Sequence, residues 1–265
     1  MRKLTLSRMA AVVAGAILLI AFAVPAAAEA NVTELTLDDG GIQRVLYTAP
    51  ANPRAALIML PGGNGMVEFG PDGAFRRGGG SFLLRTLPLW QAQGFAVAVL
   101  TPPNGMSLLG YRHTPAYAAA IGQAVEFVRN RTNVPVWLVG TSQGTTAAVG
   151  GAARLSGKVA GIVVMSSVTG RSSAGETLFD SEPERVTVPV LIVANSSDTC
   201  PASLPKDAPK IAEVLTHAPR KEIVYVESAA IQGPPCEAES PHSYFGIEQP
   251  TVERVAEWIA ATSKQ

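Results

Sequence analysis

Six short apolar runs constrain the fold of this 265-residue chain more than any other feature of its sequence. They lie at residues 55–60, 95–100, 134–140, 159–167, 188–195 and 221–228. Hydrophobicity on successive residues, rather than on every second one, is typical of parallel strands that are buried on both faces. Stretches of helical character, at residues 81–94, 114–132, 145–157, 206–219 and 249–264, alternate with these runs. The pattern therefore predicts an α/β fold with a mainly parallel sheet flanked by helices.

The sheet is expected to begin with antiparallel strands. Residues 32–37 and 42–47 alternate apolar and polar side chains around the turn sequence DDGG, which is typical of a hairpin. The chain is 47% hydrophobic and has no Gly-, Ser- or Pro-rich linker, so residues 29–265 are predicted to form one domain. The irregular stretch 169–187 is too short to hold a large cap domain.

The first 28 residues have the composition of a secretory signal. A basic start, MRKLTLSR, is followed by the apolar run 9–24, a proline and small residues. We expect cleavage after Ala28 or Ala30 and a periplasmic or secreted product. The alternative is an uncleaved membrane anchor, but the run is shorter than the ~20 apolar residues that span a bilayer. No stable membrane insertion is expected after cleavage.

The charge balance argues against nucleic-acid partners. Lys and Arg together number 21, as do Asp and Glu. Arg2, Lys3 and Arg8 are the charged residues within 1–28, so the remaining chain has a formal charge of −3. A slightly acidic protein without basic clusters has nothing to attract nucleic acid or an anionic membrane. The sequence leaves the oligomeric state open.

One motif carries chemistry: Gly140-Thr141-Ser142-Gln143-Gly144, directly after an apolar run and before small helix-forming residues. This G-x-S-x-G pattern places a serine on a tight strand-to-helix turn, where a base and a carbonyl group can both reach it. Flanking glycines leave room for the turn, and the following helix directs its N–H groups at a developing oxyanion. The competing interpretation is a glycine-rich turn that contains a serine by chance.

With this motif in this position, the chain resembles the α/β-hydrolase superfamily, and in particular small exported bacterial members without a cap. The resemblance implies a catalytic acid after a late strand and a histidine after the last one. Asp198 follows the run 188–195 directly, so it is the predicted acid. Weaker candidates for the acid are Asp180, Asp207 and Glu227.

The chain has three histidines, which narrows the choice of base. His242 follows the last predicted strand and precedes the final helix, which is the position that the resemblance implies. His217 lies near the end of a polar helix, where solvation is expected. His113 precedes a proline at a helix start, where capping or packing explains it. We therefore predict His242 as the base that takes the proton of Ser142, with Asp198 orienting its ring.

Two backbone N–H groups are predicted to form the oxyanion hole. One belongs to Gln143, directly after the nucleophile, and the other to Gly63 in the turn LPGGNG. Many relatives have His-Gly at the end of that strand, whereas this chain has Pro61-Gly62. Backbone donors do not depend on the side chain at 61, but the second donor could be Gly63 or Asn64. The glycines could also serve the turn alone.

A serine nucleophile with backbone donors predicts a hydrolase of small or exposed acyl substrates, most simply a carboxylesterase. Peptidase, thioesterase and lactonase activities require the same groups and stay open. Residues with metal-ligand spacing and a phosphate loop are both missing from the sequence, so no metal and no cofactor are expected. A binding protein that keeps the fold without turnover is the alternative. The substrate pockets are expected near a group of large side chains, unless these simply pack: Met66, Phe69, Phe75, Tyr111 and Tyr244.

The two cysteines are predicted to form a disulfide. Cys200 lies two residues after Asp198, and Cys236 lies six before His242. In the fold that the resemblance implies, the acid and base loops meet at one edge of the sheet. An exported chain with an even cysteine count favours pairing, and the alternative is two buried thiols.

Overall fold

The sheet positions everything else in the molecule. A computed structural model describes residues 30–170 and 175–263. Its strands are β1 (Asn31–Thr36), β2 (Ile42–Thr48), β3 (Ala55–Leu60), β4 (Glu68–Phe69), β5 (Phe75–Arg77), β6 (Phe95–Leu100), β7 (Val136–Thr141), β8 (Gly161–Met165), β9 (Val190–Asn195) and β10 (Lys221–Val226). Eight of the strands in the described ranges form one sheet in the order β1-β2-β6-β3-β7-β8-β9-β10. The predicted signal segment, residues 1–28, lies outside the described residues.

The strand directions follow the prediction. β1 pairs with β2 and β2 pairs with β6 in antiparallel fashion, whereas the pairs from β6 to β10 are parallel. In β3, Ala56, Ile58 and Leu60 face one hydrophobic cluster, while Leu57 and Met59 face the other. Both faces of the strand are therefore buried, which explains why its apolar run is continuous.

Helices cover both faces of the sheet: α1 (Phe82–Arg85), α2 (Leu87–Ala92), α3 (Pro115–Arg129), α4 (Gly144–Arg154), α5 (Ala208–Val214) and α6 (Glu248–Thr262). Buried residues of α3, α4 and α5 belong to one cluster, and those of α1, α2 and α6 to the other. The predicted helix 81–94 is split at Thr86. Pro88 cannot donate an N–H to the turn before it, so a new helix begins there.

The two long irregular stretches differ in content. Residues 61–81 contain a short antiparallel hairpin, β4–β5, that the sequence did not predict. The described residues between β8 and β9 contain two single-turn 3₁₀ helices, Leu178–Ser181 and Pro183–Arg185. No large cap is present in the described part of this connection, as expected.

Candidate active site

Ser142 occupies a sharp turn between β7 and α4. Its backbone has φ +52°, in the left-handed region that non-glycine residues rarely adopt. Its N–H donates to Met165 O at 2.9 Å, and its carbonyl oxygen accepts from the N–H of Thr145 at 3.0 Å and its hydroxyl at 2.7 Å. These bonds hold a strained backbone in place, an arrangement that is common at functional sites.

The glycines of the motif are required by close backbone approaches. A Cβ added at Gly140 would lie 2.5 Å from Gly144 O, and one added at Gly144 would overlap Leu60 O. A Cβ added at Gly62, on the facing loop, would lie 2.6 Å from the Cβ of Ser142. No side chain larger than hydrogen fits at these three positions without movement, so the turn specifies glycine there.

The predicted acid and base meet in a buried pair. Asp198 follows β9, and His242 lies in a 3₁₀ turn, Pro241–Ser243, that follows β10. His242 Nδ1 lies 2.9 Å from Asp198 Oδ2, and their side chains are 3% and 1% exposed. An aspartate on Nδ1 leaves Nε2 as the nitrogen that can exchange a proton with another group.

Ser203 contacts both members of this pair, and no sequence pattern predicts it. Its Oγ donates to Asp198 Oδ2 at 3.1 Å and lies 2.8 Å from His242 Nδ1. The N–H of Cys200 donates to the second carboxylate oxygen, Oδ1, at 2.8 Å. The carboxylate is thus held at both oxygens, and the imidazole is fixed by two neighbours rather than one.

A second buried network holds the backbone of the base. The Ser166 hydroxyl donates to His242 O at 2.7 Å and lies 3.0 Å from the Tyr244 hydroxyl. Tyr244 in turn donates to Val193 O at 3.0 Å. Burial raises the pKa of Tyr244 well above its usual value, so its phenol remains a donor. The turn that carries His242 is therefore anchored to Ser166, directly after β8, and to Val193 within β9.

Asn195, at the end of β9, connects the acid loop and the base turn. Its side chain is buried, and its Nδ2 donates to Pro241 O at 2.9 Å. Its Oδ1 accepts from the N–H groups of Ser197 at 3.1 Å and Ser228 at 3.2 Å. One amide therefore sets the distance between the segments that carry Asp198 and His242.

One cavity of about 590 Å³ contacts all of the predicted site residues except Asp198, which lies behind His242. Its wall includes Ser142, Gln143, His242 and Gly63, whereas Asn64 is not part of it. Gly63 has φ +59°, and a Cβ added there would enter open space. Small residues and the two cysteines make up much of the remaining wall: Gly78, Gly80, Cys200, Ala202, Cys236 and Ala238.

No protein-family model matches the chain, and neither does any curated protein. Solved structures do match. The esterase Pf2001 of Pyrococcus furiosus superposes with a TM-score of 0.65 at 12% identity, over 89% of this chain and 92% of the other. Est1E from Butyrivibrio proteoclasticus gives 0.58 at 13% identity, over 89% and 100%. Dienelactone hydrolase from Anabaena variabilis gives 0.57 at 16% identity, over 88% and 98%.

The chain has the α/β-hydrolase fold. In this fold the nucleophile turn, the acid and the histidine follow successive parts of one sheet in the order Ser, Asp, His. Ser142 after β7, Asp198 after β9 and His242 after β10 have that order and those positions.

The predicted disulfide is present at the same end of the α/β-hydrolase sheet. Cys200 and Cys236 are bonded with an S–S distance of 2.02 Å across 36 positions of sequence. The bond joins the loop of Asp198 to the segment that leads to His242. Cys200 is buried, while Cys236 lies at the surface of the cavity mouth.

The large side chains expected near the substrate pocket lie elsewhere in the structure. Phe69 and Tyr244 are buried in the core, and Phe75 packs edge-on against Phe69. None of these five residues, Met66 and Tyr111 included, lines the cavity, which agrees with the alternative that they simply pack. The aromatic side chain that does line it is Phe82, from α1, which packs against Tyr244 at 4.9 Å between ring centroids.

The other candidate acids and bases lie away from this cavity. His113 Nδ1 contacts Glu176 at 2.7 Å, and His217 Nδ1 lies 2.7 Å from Glu184 O at the surface. Asp207 pairs with Lys210. Within residues 30–170 and 175–263, no group of His, Cys, Asp and Glu is arranged to hold a metal ion. In the same ranges, no helix has the length and hydrophobicity of a membrane span.

Proposed function

We propose that the protein is an exported serine hydrolase that cleaves carboxylic esters through an acyl-enzyme. One observation carries the proposal: Ser142, on a strained turn, borders the same cavity as a buried His242–Asp198 pair. A nucleophile, a base and a group that orients the base are the minimum set for this chemistry.

In the proposed reaction, Ser142 Oγ attacks the ester carbonyl carbon while Nε2 of His242 takes its proton. Asp198 holds the proton on Nδ1 and stabilises the imidazolium that forms. The tetrahedral intermediate collapses when His242 returns the proton to the leaving alcohol, which leaves the acyl group on Ser142. A water molecule then attacks the acyl-enzyme while His242 takes its proton. His242 returns that proton to Ser142 Oγ, and the carboxylic acid is released. The buried bonds from Ser203 and Cys200 support the proposal, because they fix the carboxylate before substrate arrives.

The oxyanion donors in this scheme are the N–H groups of Gln143 and Gly63. The shared cavity wall supports this pair, since both residues border the space next to Ser142. The open surroundings of Gly63 and the position of Asn64 outside the cavity support Gly63 as the second donor. Donors placed in advance at this point supply the largest single share of catalysis in comparable enzymes.

The character of the cavity favours neutral ester substrates. Glu237 is the one lining side chain with a permanent charge, and no Lys or Arg is present among the lining residues that the structure describes. Among these described residues, a substrate carboxylate would find no cationic partner. Thioester, lactone and peptide cleavage use the same groups and are distinguished by assay. The disulfide supports export, because such bonds persist in oxidising compartments.

The decisive experiment uses the wild-type protein and a Ser142→Ala variant. A fluorophosphonate probe should label the wild type at Ser142 and leave the variant unlabelled. Hydrolysis of p-nitrophenyl esters of graded chain length should fall by on the order of 10⁴-fold or more in Ser142→Ala, since residual rates come from the oxyanion hole alone. A p-nitroanilide substrate tests amide cleavage in parallel.

Histidine variants provide the matched controls. His242→Ala should be as damaging as the serine change, whereas His113→Ala and His217→Ala should retain most activity. A folded wild type that neither labels nor turns over any of these substrates would instead favour a binding protein built on the same fold.

A further inference from the structure

Arg112 is a buried cation that the proposed reaction does not use directly. It lies in the turn before α3 and is 1% exposed. Burying a charge costs several kcal/mol unless the group is paired and hydrogen-bonded, so the partners of such a residue indicate its purpose. The nearby carboxylate of Glu176 is also buried, and it accepts from the N–H of His113 at 3.3 Å.

The guanidinium of Arg112 binds the loop that follows β3. Its Nη2 donates to Pro61 O at 3.2 Å and to Gly62 O at 3.3 Å. A Cβ added at Gly65, further along the same loop, would lie 2.9 Å from Nη2. Arg112 therefore packs against the loop over several residues and holds two successive carbonyl groups.

Because the peptide bond is rigid, the contact of Arg112 with Gly62 O also determines the direction of the N–H group on the opposite side of the loop. Gly62 C=O and Gly63 N–H belong to one peptide unit, which is planar and trans, so they point in opposite directions. A cation that fixes the direction of Gly62 C=O also fixes the direction of Gly63 N–H, away from Arg112. Gly62 touches the Ser142 side chain, because a Cβ there would lie 3.2 Å from Ser142 Oγ.

We propose that Arg112 is a positioning residue for the oxyanion hole, which holds the Gly62–Gly63 peptide so that its N–H faces the oxyanion formed at Ser142. The inference rests on the proposed function, because it requires Gly63 to be a donor. It adds a residue that touches no substrate and acts through the backbone of the loop.

Burial and the neighbouring groups act in opposite directions on the pKa of Arg112, and burial has the larger effect. Burial lowers the pKa of its guanidinium, while the neighbouring Tyr117 and Glu176 raise it. Burial in turn raises the pKa of Tyr117 to about 12. A guanidinium is effectively always protonated in proteins, so Arg112 is treated as a cation.

The alternative is a purely structural role, in which Arg112 stabilises the fold and nothing else. Two ester substrates separate these roles. An oxoester and its thionoester analogue share the triad chemistry, but the thionoester places a negative sulfur in the oxyanion hole. Sulfur accepts hydrogen bonds weakly, so the thionoester gains little from well-placed N–H donors. The ratio of kcat/KM for the two substrates therefore measures the oxyanion hole separately from the triad.

The test compares Arg112→Met with wild type and with Arg44→Met. Arg44 is a matched control, since its Nη1 donates to Phe69 O at 2.8 Å in the same long loop but away from the cavity. In Arg112→Met, kcat for p-nitrophenyl acetate should fall roughly 10- to 100-fold with KM within about twofold, because outright loss of one donor costs 10²–10³. The oxoester-to-thionoester ratio should fall by a similar factor, while Arg44→Met keeps wild-type values.

Several results overturn the inference. One is a folded Arg112→Met with kcat and ratio unchanged, and another is an equal loss on both substrates. If Arg112→Met does not fold, Arg112→Lys replaces it, since the shorter lysine side chain does not bring its ammonium to the position of Nη2, which donates to both carbonyls. In Arg112→Lys, kcat for p-nitrophenyl acetate and the oxoester-to-thionoester ratio should each fall at least about threefold. Unchanged values refute the proposal. A wild type without turnover or labelling refutes the proposed function and this inference together, whereas an active wild type with a silent Arg112 refutes this inference alone.

Discussion

Removing the disulfide should lower stability by an amount that follows from its position in the chain. The double variant Cys200→Ala/Cys236→Ala opens a loop of 36 residues. The chain-entropy relation gives about 4 kcal/mol for a loop of that length at 25 °C. Loss of the buried Cys200 sulfur adds to the effect, but it is a small group beside that entropy term. For a domain of this size, ~4 kcal/mol corresponds to a fall in Tm of about 8–16 °C.

The measurement is urea unfolding of the oxidised wild type, the reduced wild type and the double variant. The variant should be slightly less stable than the reduced wild type, because it also loses the Cys200 sulfur, and reductant should leave the variant unchanged. That comparison separates the crosslink from the side-chain substitution, because reduction keeps both sulfur atoms. If the slope of the unfolding free energy against urea concentration is unchanged, then the surface area exposed on unfolding is unchanged as well.

The same variant tests whether the bond also holds the acid and base loops together. Asn195 and Ser166 already anchor both sides of this junction through buried hydrogen bonds. If those bonds suffice, activity at 25 °C should stay within about threefold of wild type, and the loss should appear in stability alone. A stability change below about 1 kcal/mol would contradict the loop-entropy argument, and a collapse of kcat with intact stability would show that the bond orients Asp198.

Ser203→Ala should lower kcat about tenfold with KM nearly unchanged, because it removes one of two groups that fix the His242 ring. Steady-state kinetics on one p-nitrophenyl ester measures this change. An unchanged kcat would show that Asp198 alone is enough to orient the ring. Gly144→Ala should destabilise the fold by more than about 2 kcal/mol, since its Cβ would overlap Leu60 O. Thermal unfolding against Gly80→Ala, whose Cβ meets nothing within 4 Å, is the matched comparison, and equal Tm values would contradict the steric argument.

The sheet could be predicted because the hydrophobic pattern of each strand follows from how many of its faces are buried. The run 55–60 is continuous in sequence, and β3 has those bounds and is buried on both faces. The antiparallel start was predicted for the opposite reason, since β1 alternates and is half exposed. The hairpin β4–β5 was not predicted, because it is two to three residues per strand within a glycine-rich loop and carries no periodicity.

The closeness of Asp198 and His242 could be predicted once the resemblance had placed them after the last two strands, because the carboxyl ends of parallel strands meet at one edge. Asp198 and His242 therefore had to be near each other once the strands were assigned. Ser203 and Asn195 could not be predicted in the same way. A serine or asparagine in a connecting segment is usually solvated or caps a turn, and burial at 3% and 1% exposure appears only in three dimensions.

Arg112 and His113, neighbours in the turn before α3, show which feature of the structure the sequence does not predict. His113 is a candidate base because the chain has three histidines, whereas no sequence pattern singles out Arg112 beside it. In the structure, the His113 side chain is 38% exposed, whereas Arg112 is 1% exposed beneath the loop of Gly62. Residue type predicts which group can exchange a proton, and strand order predicts where its partners lie. Which cation is buried depends on the path of a loop that carries no hydrophobic period, so the sequence holds no local signal for it.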